Sequence, residues 1–215
     1  MTSTDDLIQT LATSPRSSAR QHRRRQGGMI ALALGLSLLL HLGILGSRPD
    51  LAVVVAAPDF NLKILLLIAL AAFSLILLRR VSTPDSALSP AVQRSGLLVL
   101  ALTLLGSGSA AFMLRSSITP EVFVCVFWIG LFGTAPFLSL LWLLRNAAPG
   151  HTAHATHLLA LASWSCSTLA YTLHCNADLS LPAPLGNLAM LFFYLLALPL
   201  FLAAAHVLRP VFTRW

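Results

Sequence analysis

The sequence predicts an all-α integral membrane protein, a bundle of six transmembrane helices with both termini in the cytoplasm. Three observations predict it. The 215-residue chain is 57% hydrophobic and only 10% charged, with a mean hydropathy of +0.82; an ordinary soluble domain is about 25% charged, so this chain has too little polar surface to clothe a globule. Six apolar stretches reach the length of roughly 20 residues that a helix needs to cross a bilayer core of about 30 Å. The basic residues are divided unevenly between the segments that join those stretches.

The elements follow in order. Residues 1–27 are polar and read as a cytoplasmic N-terminal tail ahead of a transmembrane domain at 28–215. "TDDLIQTLATS" has the makings of a short helix, with Ser3 or Thr4 as N-cap and Asp5 and Asp6 in the first turn, where the helix dipole favours acids. Leu7, Ile8 and Leu11 share one face of it. So short a helix is marginal alone in water and orders on a partner. The apolar stretches then fall at about 28–46, 60–78, 96–114, 122–144, 155–174 and 186–208, with short connections rich in Pro, Gly, Ser, Asp and Arg. The first is too long for a secretory h-region and reads as a signal anchor. Pro136 and Pro199 lie inside the fourth and sixth stretches, where each frees a carbonyl and favours a kink.

Charge sets the orientation. With six spans, one side holds Arg16, Arg20, Arg23, Arg24, Arg25, Arg79, Arg80, Arg94, Arg145, Arg209 and Arg214, and the other holds Arg48, Lys63 and Arg115. Eleven against three of fourteen basic residues puts both termini inside by the positive-inside rule. The net charge of +7 therefore reads as membrane anchoring, and no basic face with interleaved aromatics points to direct nucleic-acid binding.

Cys125, Cys166 and Cys175 form no CxxC and no zinc spacing. In this topology Cys175 ends the fifth span at the outer face, and Cys125 lies about one turn, roughly 6 Å, below the same face on the fourth span. Matched depth leaves two readings open, buried apolar fillers or a redox or soft-metal site. His174 beside Cys175, and His41 in the outer part of the first span, are candidate auxiliaries for such a site. Cys166 within "SWSCSTLA" reads as helix packing, because small residues let helices approach closely. "GSGSAAF" with His206 fails as a serine-protease pattern, and "HTAHATH" does not put three ligands on one helix face. No enzyme activity and no cofactor is expected.

Several pieces recur in a familiar order: "TDDLI", "RPDL", "FNLK", Cys125 followed by Pro136, "LLRNAAP", "YTLHC", "FFYLLALPL" and "LRPVFTRW". Together they resemble the bacterial six-span family of negative regulators of sigma factor F. The resemblance implies an anti-sigma factor of the bacterial inner membrane. It holds an extracytoplasmic-function sigma factor inactive and releases it under heavy-metal or oxidative stress. It also implies that Cys125 and Cys175 are the sensing pair, with Cys166 outside the motif. The chain departs from the family after "LHC", where "HCNADLS" carries the single acid Asp178. The N-terminal tail is the sizeable cytoplasmic segment with apolar residues to offer, so Asp5, Asp6, Leu7, Ile8 and Leu11 are the expected sigma-binding residues. A small membrane carrier or channel would want intramembrane charge, and a membrane thiol-disulfide protein would want a CxxC; these are the alternative readings.

Overall fold

The computed structural model describes residues 17–82, 120–147, 152–175 and 186–213, together with positions 101, 105, 109, 112 and 149. All regular structure among them is helical, in the order α1 (Ser17–Ile44), α2 (Leu51–Val54), α3 (Pro58–Val81), α4 (Pro120–Phe132), α5 (Thr134–Arg145), α6 (Thr152–Thr172), α7 (Gly186–Leu195), α8 (Leu198–Val207) and α9 (Arg209–Thr213). Asp5, Asp6, Leu7, Ile8 and Leu11 lie outside the described residues. Among the described residues helix runs unbroken from Ser17 to Ile44, so the described part of the polar N-terminal segment continues directly into the first apolar stretch.

Three runs among the described residues, not six, are long and apolar enough to cross a membrane: Gly27–Ile44, Pro58–Val81 and Phe123–Arg145. They coincide with the first, second and fourth predicted stretches. Large apolar side chains such as Leu39, Leu65 and Phe123 face outward along them, as a lipid-facing surface requires. Of the third stretch only positions 101, 105, 109 and 112 are described, each helical. The fifth is α6, which has the length, but Ser, Thr and His residues hold its hydropathy down. Fifteen of its 21 residues are buried, because α1, α3, α4, α5, α8 and α9 all pack against it. A helix screened from lipid by its neighbours has no need of a continuous apolar surface. The sixth stretch is divided into α7 and α8, and its apolar helical part is the shorter run Phe193–Val207.

The prolines account for both interruptions. A proline removes its own N–H and its ring clashes with the carbonyl four residues earlier. Four residues before Pro136 is Phe132, the last residue of α4; four before Pro199 is Leu195, the last residue of α7. At the first break Gly133 lies so close to α8 that a Cβ there would run into the Phe201 ring and meet the Ile129 carbonyl oxygen at 2.7 Å. At the end of α1, Gly46 adopts φ +76° and returns its N–H to the Leu42 carbonyl at 3.1 Å, a left-handed cap that suits glycine.

Polar contacts between described residues cross the helix interfaces around α6. Ser167 Oγ donates to the Ile129 carbonyl on α4 (2.8 Å). Trp164 Nε1 donates to the Tyr194 carbonyl beside the α7 break (2.8 Å). At the N-terminal end of α6, Arg209 Nη2 donates to Thr152 Oγ1 (2.7 Å). By contrast Ser163 and Ser165 bond back to their own helix, and Cys166 is buried among them, in keeping with a packing role.

Gly133→Ala should therefore destabilise the bundle by about 1–3 kcal/mol, the usual cost of overpacking. The companion substitution Phe201→Leu should recover most of that loss, read as the thermal midpoint of the micelle-solubilised protein. Additive losses in the double variant would contradict a direct Gly133–Phe201 conflict.

Candidate functional site

Cys125 sits in the second turn of α4, and Cys175 follows the C-terminal end of α6. Three backbone hydrogen bonds hold that end in helical turns: Leu173 N–H to Ala170, His174 N–H to Tyr171 and Cys175 N–H to Tyr171, at 3.2, 2.9 and 3.1 Å. The two sulfurs, fifty residues apart in sequence, are 3.5 Å from each other. Both cysteines are 3% exposed and neither is in a disulfide. A disulfide has an S–S length of about 2.05 Å, so no S–S bond joins the pair, which lies within about 1.5 Å of bond distance. Cys166 takes no part in the contact.

Tyr171 is one helical turn before Cys175 and so shares its face of α6. The ring is fixed on three sides, 6.0 Å from His41, 5.8 Å from His174 and 6.0 Å from Tyr194, centroid to centroid.

The end of α6 is clasped by the loop after α1. Arg48 Nη1 donates to the Cys175 carbonyl (2.9 Å), and the Arg48 N–H donates to the Leu173 carbonyl (3.0 Å). His174 Nδ1–H donates to the Gly46 carbonyl (3.1 Å). The Arg48 side chain is itself held by a two-pronged pairing with Asp50, Nε to Oδ1 at 2.7 Å and Nη2 to Oδ2 at 2.8 Å, and lies over the Phe60 ring. Those Arg48 hydrogen bonds hold the Asp50 carboxyl below the usual carboxylate range. A depressed carboxyl pKa adds stability above the unfolded value, near 4, that is lost as pH falls through the folded one. The pairing is therefore fully formed at neutral pH.

Of the two histidines expected as auxiliaries, His174 is committed to the Gly46 carbonyl. His41 is wholly buried, donates Nδ1–H to the Ser37 carbonyl (2.7 Å) and packs at a tilt against Phe132, centroids 4.7 Å apart. Its Nε2 has no hydrogen-bond partner, as is true of Ser37 Oγ and Thr168 Oγ1. Among the described residues no group of three or more His, Cys, Asp or Glu side chains is placed to hold a metal ion. At the opposite end of α6, His157 and His206 meet at 5.3 Å.

Sequence reasoning missed three members of this region. Arg48, beside the first stretch, and Lys63, near the start of the second, were counted only as charges on the outer side, yet both are buried. Lys63 Nζ lies over the rings of Phe60 (5.4 Å) and Tyr194 (5.6 Å), an arrangement in which ring faces attract a cation. The available signal was a charged residue beside an apolar stretch, since such groups must find partners when enclosed. Tyr171 stands four residues before Cys175, the spacing of neighbours on a helix face.

Burial is unequal across the clasp: the Arg48 side chain is 0% exposed and that of Asp50 27%. Asp50→Ala should therefore cost more stability than Arg48→Met, because it strands a buried cation while the reverse change leaves a carboxylate that water can reach. Thermal midpoints of the two variants in micelles check this. A larger loss from Arg48→Met would mean that the Cys175 carbonyl contact outweighs the counter-charge.

The family model described as negative regulator of sigma F matches residues 11–215. No curated protein and no solved structure matches.

Proposed function

Because the chain belongs to the negative regulator of sigma F family, we propose that it holds an extracytoplasmic-function sigma factor inactive at the bacterial inner membrane and releases it when Cys125 and Cys175 are modified. The family description supports negative regulation of a sigma factor, and the three apolar helices support a membrane location. The observation that carries the sensing role is the 3.5 Å contact of two buried thiols that no disulfide joins, one on α4 and one at the end of α6. Such a pair responds to the two stresses in question by plain chemistry. Hydrogen peroxide takes two electrons from the pair, closing a disulfide and leaving two waters. A thiophilic cation displaces the two thiol protons and bridges the sulfurs.

In this reading the chain crosses the membrane six times, with both termini in the cytoplasm, as the eleven-to-three division of basic residues favours. The thiol pair then lies toward the outer face, where oxidants arrive. The sigma factor is held by the N-terminal tail, through Asp5, Asp6, Leu7, Ile8 and Leu11. Two routes lead from thiols to cytoplasm. One follows α4 and α5, which Pro136 allows to bend, to the connection between α5 and α6. The other runs through the clasp: Arg48 ties the Cys175 backbone to the loop that ends α1, and α1 is a continuous helix of 28 residues, about 42 Å long at 1.5 Å per residue, leading to the tail. Closing the sulfurs to bond distance would pull on this clasp.

Two sets of variants test the reading in cells carrying a sigma-dependent reporter. Cys125→Ser and Cys175→Ser should each abolish induction by peroxide or by a thiophilic metal, and Cys166→Ser should leave it nearly intact. Wild-type induction in both single variants would make the thiols packing residues. Leu7→Asp and Ile8→Asp should raise uninduced reporter activity several-fold with unchanged membrane insertion. Full repression in both would move the sigma-binding surface to the connections near Arg80 and Arg145.

A further inference from the structure

We propose that His157 on α6 and His206 on α8 form a two-histidine site for a borderline divalent cation such as Zn²⁺, at the end of the bundle opposite the thiols. The site is independent of the reading of Cys125 and Cys175 as a sensing pair. The two rings come from helices that pack against each other and lie edge to face, with centroids 5.3 Å apart. Both side chains are exposed, and neither ring has a hydrogen-bond partner among the described residues. Their nitrogens are therefore uncommitted. His41 and His174, by contrast, each give Nδ1–H to a backbone carbonyl.

The separation suits a metal. In a tetrahedral site the Zn–N bonds are about 2.0–2.1 Å, which holds the centroids of two coordinated imidazoles about 5 Å apart. The rings already stand at that distance, so their planes have to turn but no helix has to move. Rotation about the terminal torsion of histidine is soft, and it points one lone pair of each neutral ring at a shared position. Packing thus supplies from α8 the ligand that "HTAHATH" does not provide on its own helix face. Imidazole suits Zn²⁺, Ni²⁺ and Cu²⁺, whereas Mg²⁺ prefers oxygen and soft cations prefer thiolate. The two ends of α6 therefore differ in the class of cation they take.

Neighbouring groups set the strength. His206 lies in the last turn of α8, where the helix dipole favours a cation. The apolar run Phe193–Val207 ends directly after it, so the pair stands at the boundary of the apolar segment, where water completes the coordination. Arg209 works in the other direction: its guanidinium reaches Thr152 Oγ1 at the start of α6 (2.7 Å), and its charge opposes a second cation nearby. Among the described residues no third His, Cys, Asp or Glu joins the pair. Two imidazoles, water and an opposing guanidinium make an exchangeable site rather than a permanent structural one. Occupied, it staples the N-terminal part of α6 to the last turn of α8.

The test uses the full chain in micelles, stripped with a chelator and then titrated with Zn²⁺. The thiol pair is present in every protein compared, so its own response to the cation is common to all of them. At roughly a hundredfold excess over half-saturation, one site raises the thermal midpoint of a chain this size by about 5–10 °C. His157→Ala and His206→Ala should each lose an increment of that size, and His154→Ala should keep it. Mg²⁺ at the same concentration should give no increment. Full Zn²⁺ protection in His157→Ala or in His206→Ala overturns the proposal. A second measurement does not depend on stability. In the full chain with Cys125→Ser and Cys175→Ser, bound Cu²⁺ should show electron spin-echo modulation from two imidazoles, reduced to one by His206→Ala. Modulation from fewer than two imidazoles with both histidines in place overturns the proposal as well.

Discussion

A guanidinium with none of its side chain exposed fixes the end of the bundle where the two thiols meet. Within lipid, apolar side chains gain little by leaving one apolar environment for another, so polar contacts and close packing carry much of the specificity between helices. The Arg48 contacts do this for the end of α6. They satisfy the Cys175 carbonyl, which has passed beyond the helical ladder, and the backbone N–H of the same arginine satisfies Leu173. Asp50 neutralises the charge, and the Phe60 ring covers it. Together with Ser167 to Ile129 and Trp164 to Tyr194, this sets the depth of α6 against α4, and hence the distance between Cys125 and Cys175.

The helical class was legible because its signal is coarse: long apolar runs, and prolines whose effect falls four residues upstream. The interruptions after Phe132 and Leu195 follow from Pro136 and Pro199 alone. The role of α6 was harder to see. Its serines and threonines look like interruptions of a span, and only the packing of six described neighbours explains why such a helix sits at the centre. The requirement for Gly133 was invisible, since it depends on Phe201, 68 residues away in the chain.

The site was legible to the same extent. Equal depth on consecutive spans brought Cys125 and Cys175 to attention, and geometry places the sulfurs in contact. The histidines were legible as residues but not as partners. His174 anchors a loop, and His41 lies between aromatic rings with one nitrogen unsatisfied. Charge counting treated Arg48 and Lys63 as markers of sidedness, whereas their burial makes them part of the structure that supports the thiols. A count of charges carries no information on enclosure, which depends on rings contributed by other helices.

Two ends of one helix thus carry different chemistry: thiols, phenol and clasp at the C-terminal end of α6, and the His157–His206 contact at the other. The account rests on the first end governing what happens beyond the membrane. The most direct measurement exposes cells to graded hydrogen peroxide, maps the redox state of Cys125 and Cys175 in native membranes by mass-tag alkylation, and quantifies in parallel the sigma factor that co-purifies. The account requires bound sigma factor to decline in step with loss of the reduced pair. Release of the sigma factor while both thiols remain reduced would contradict it.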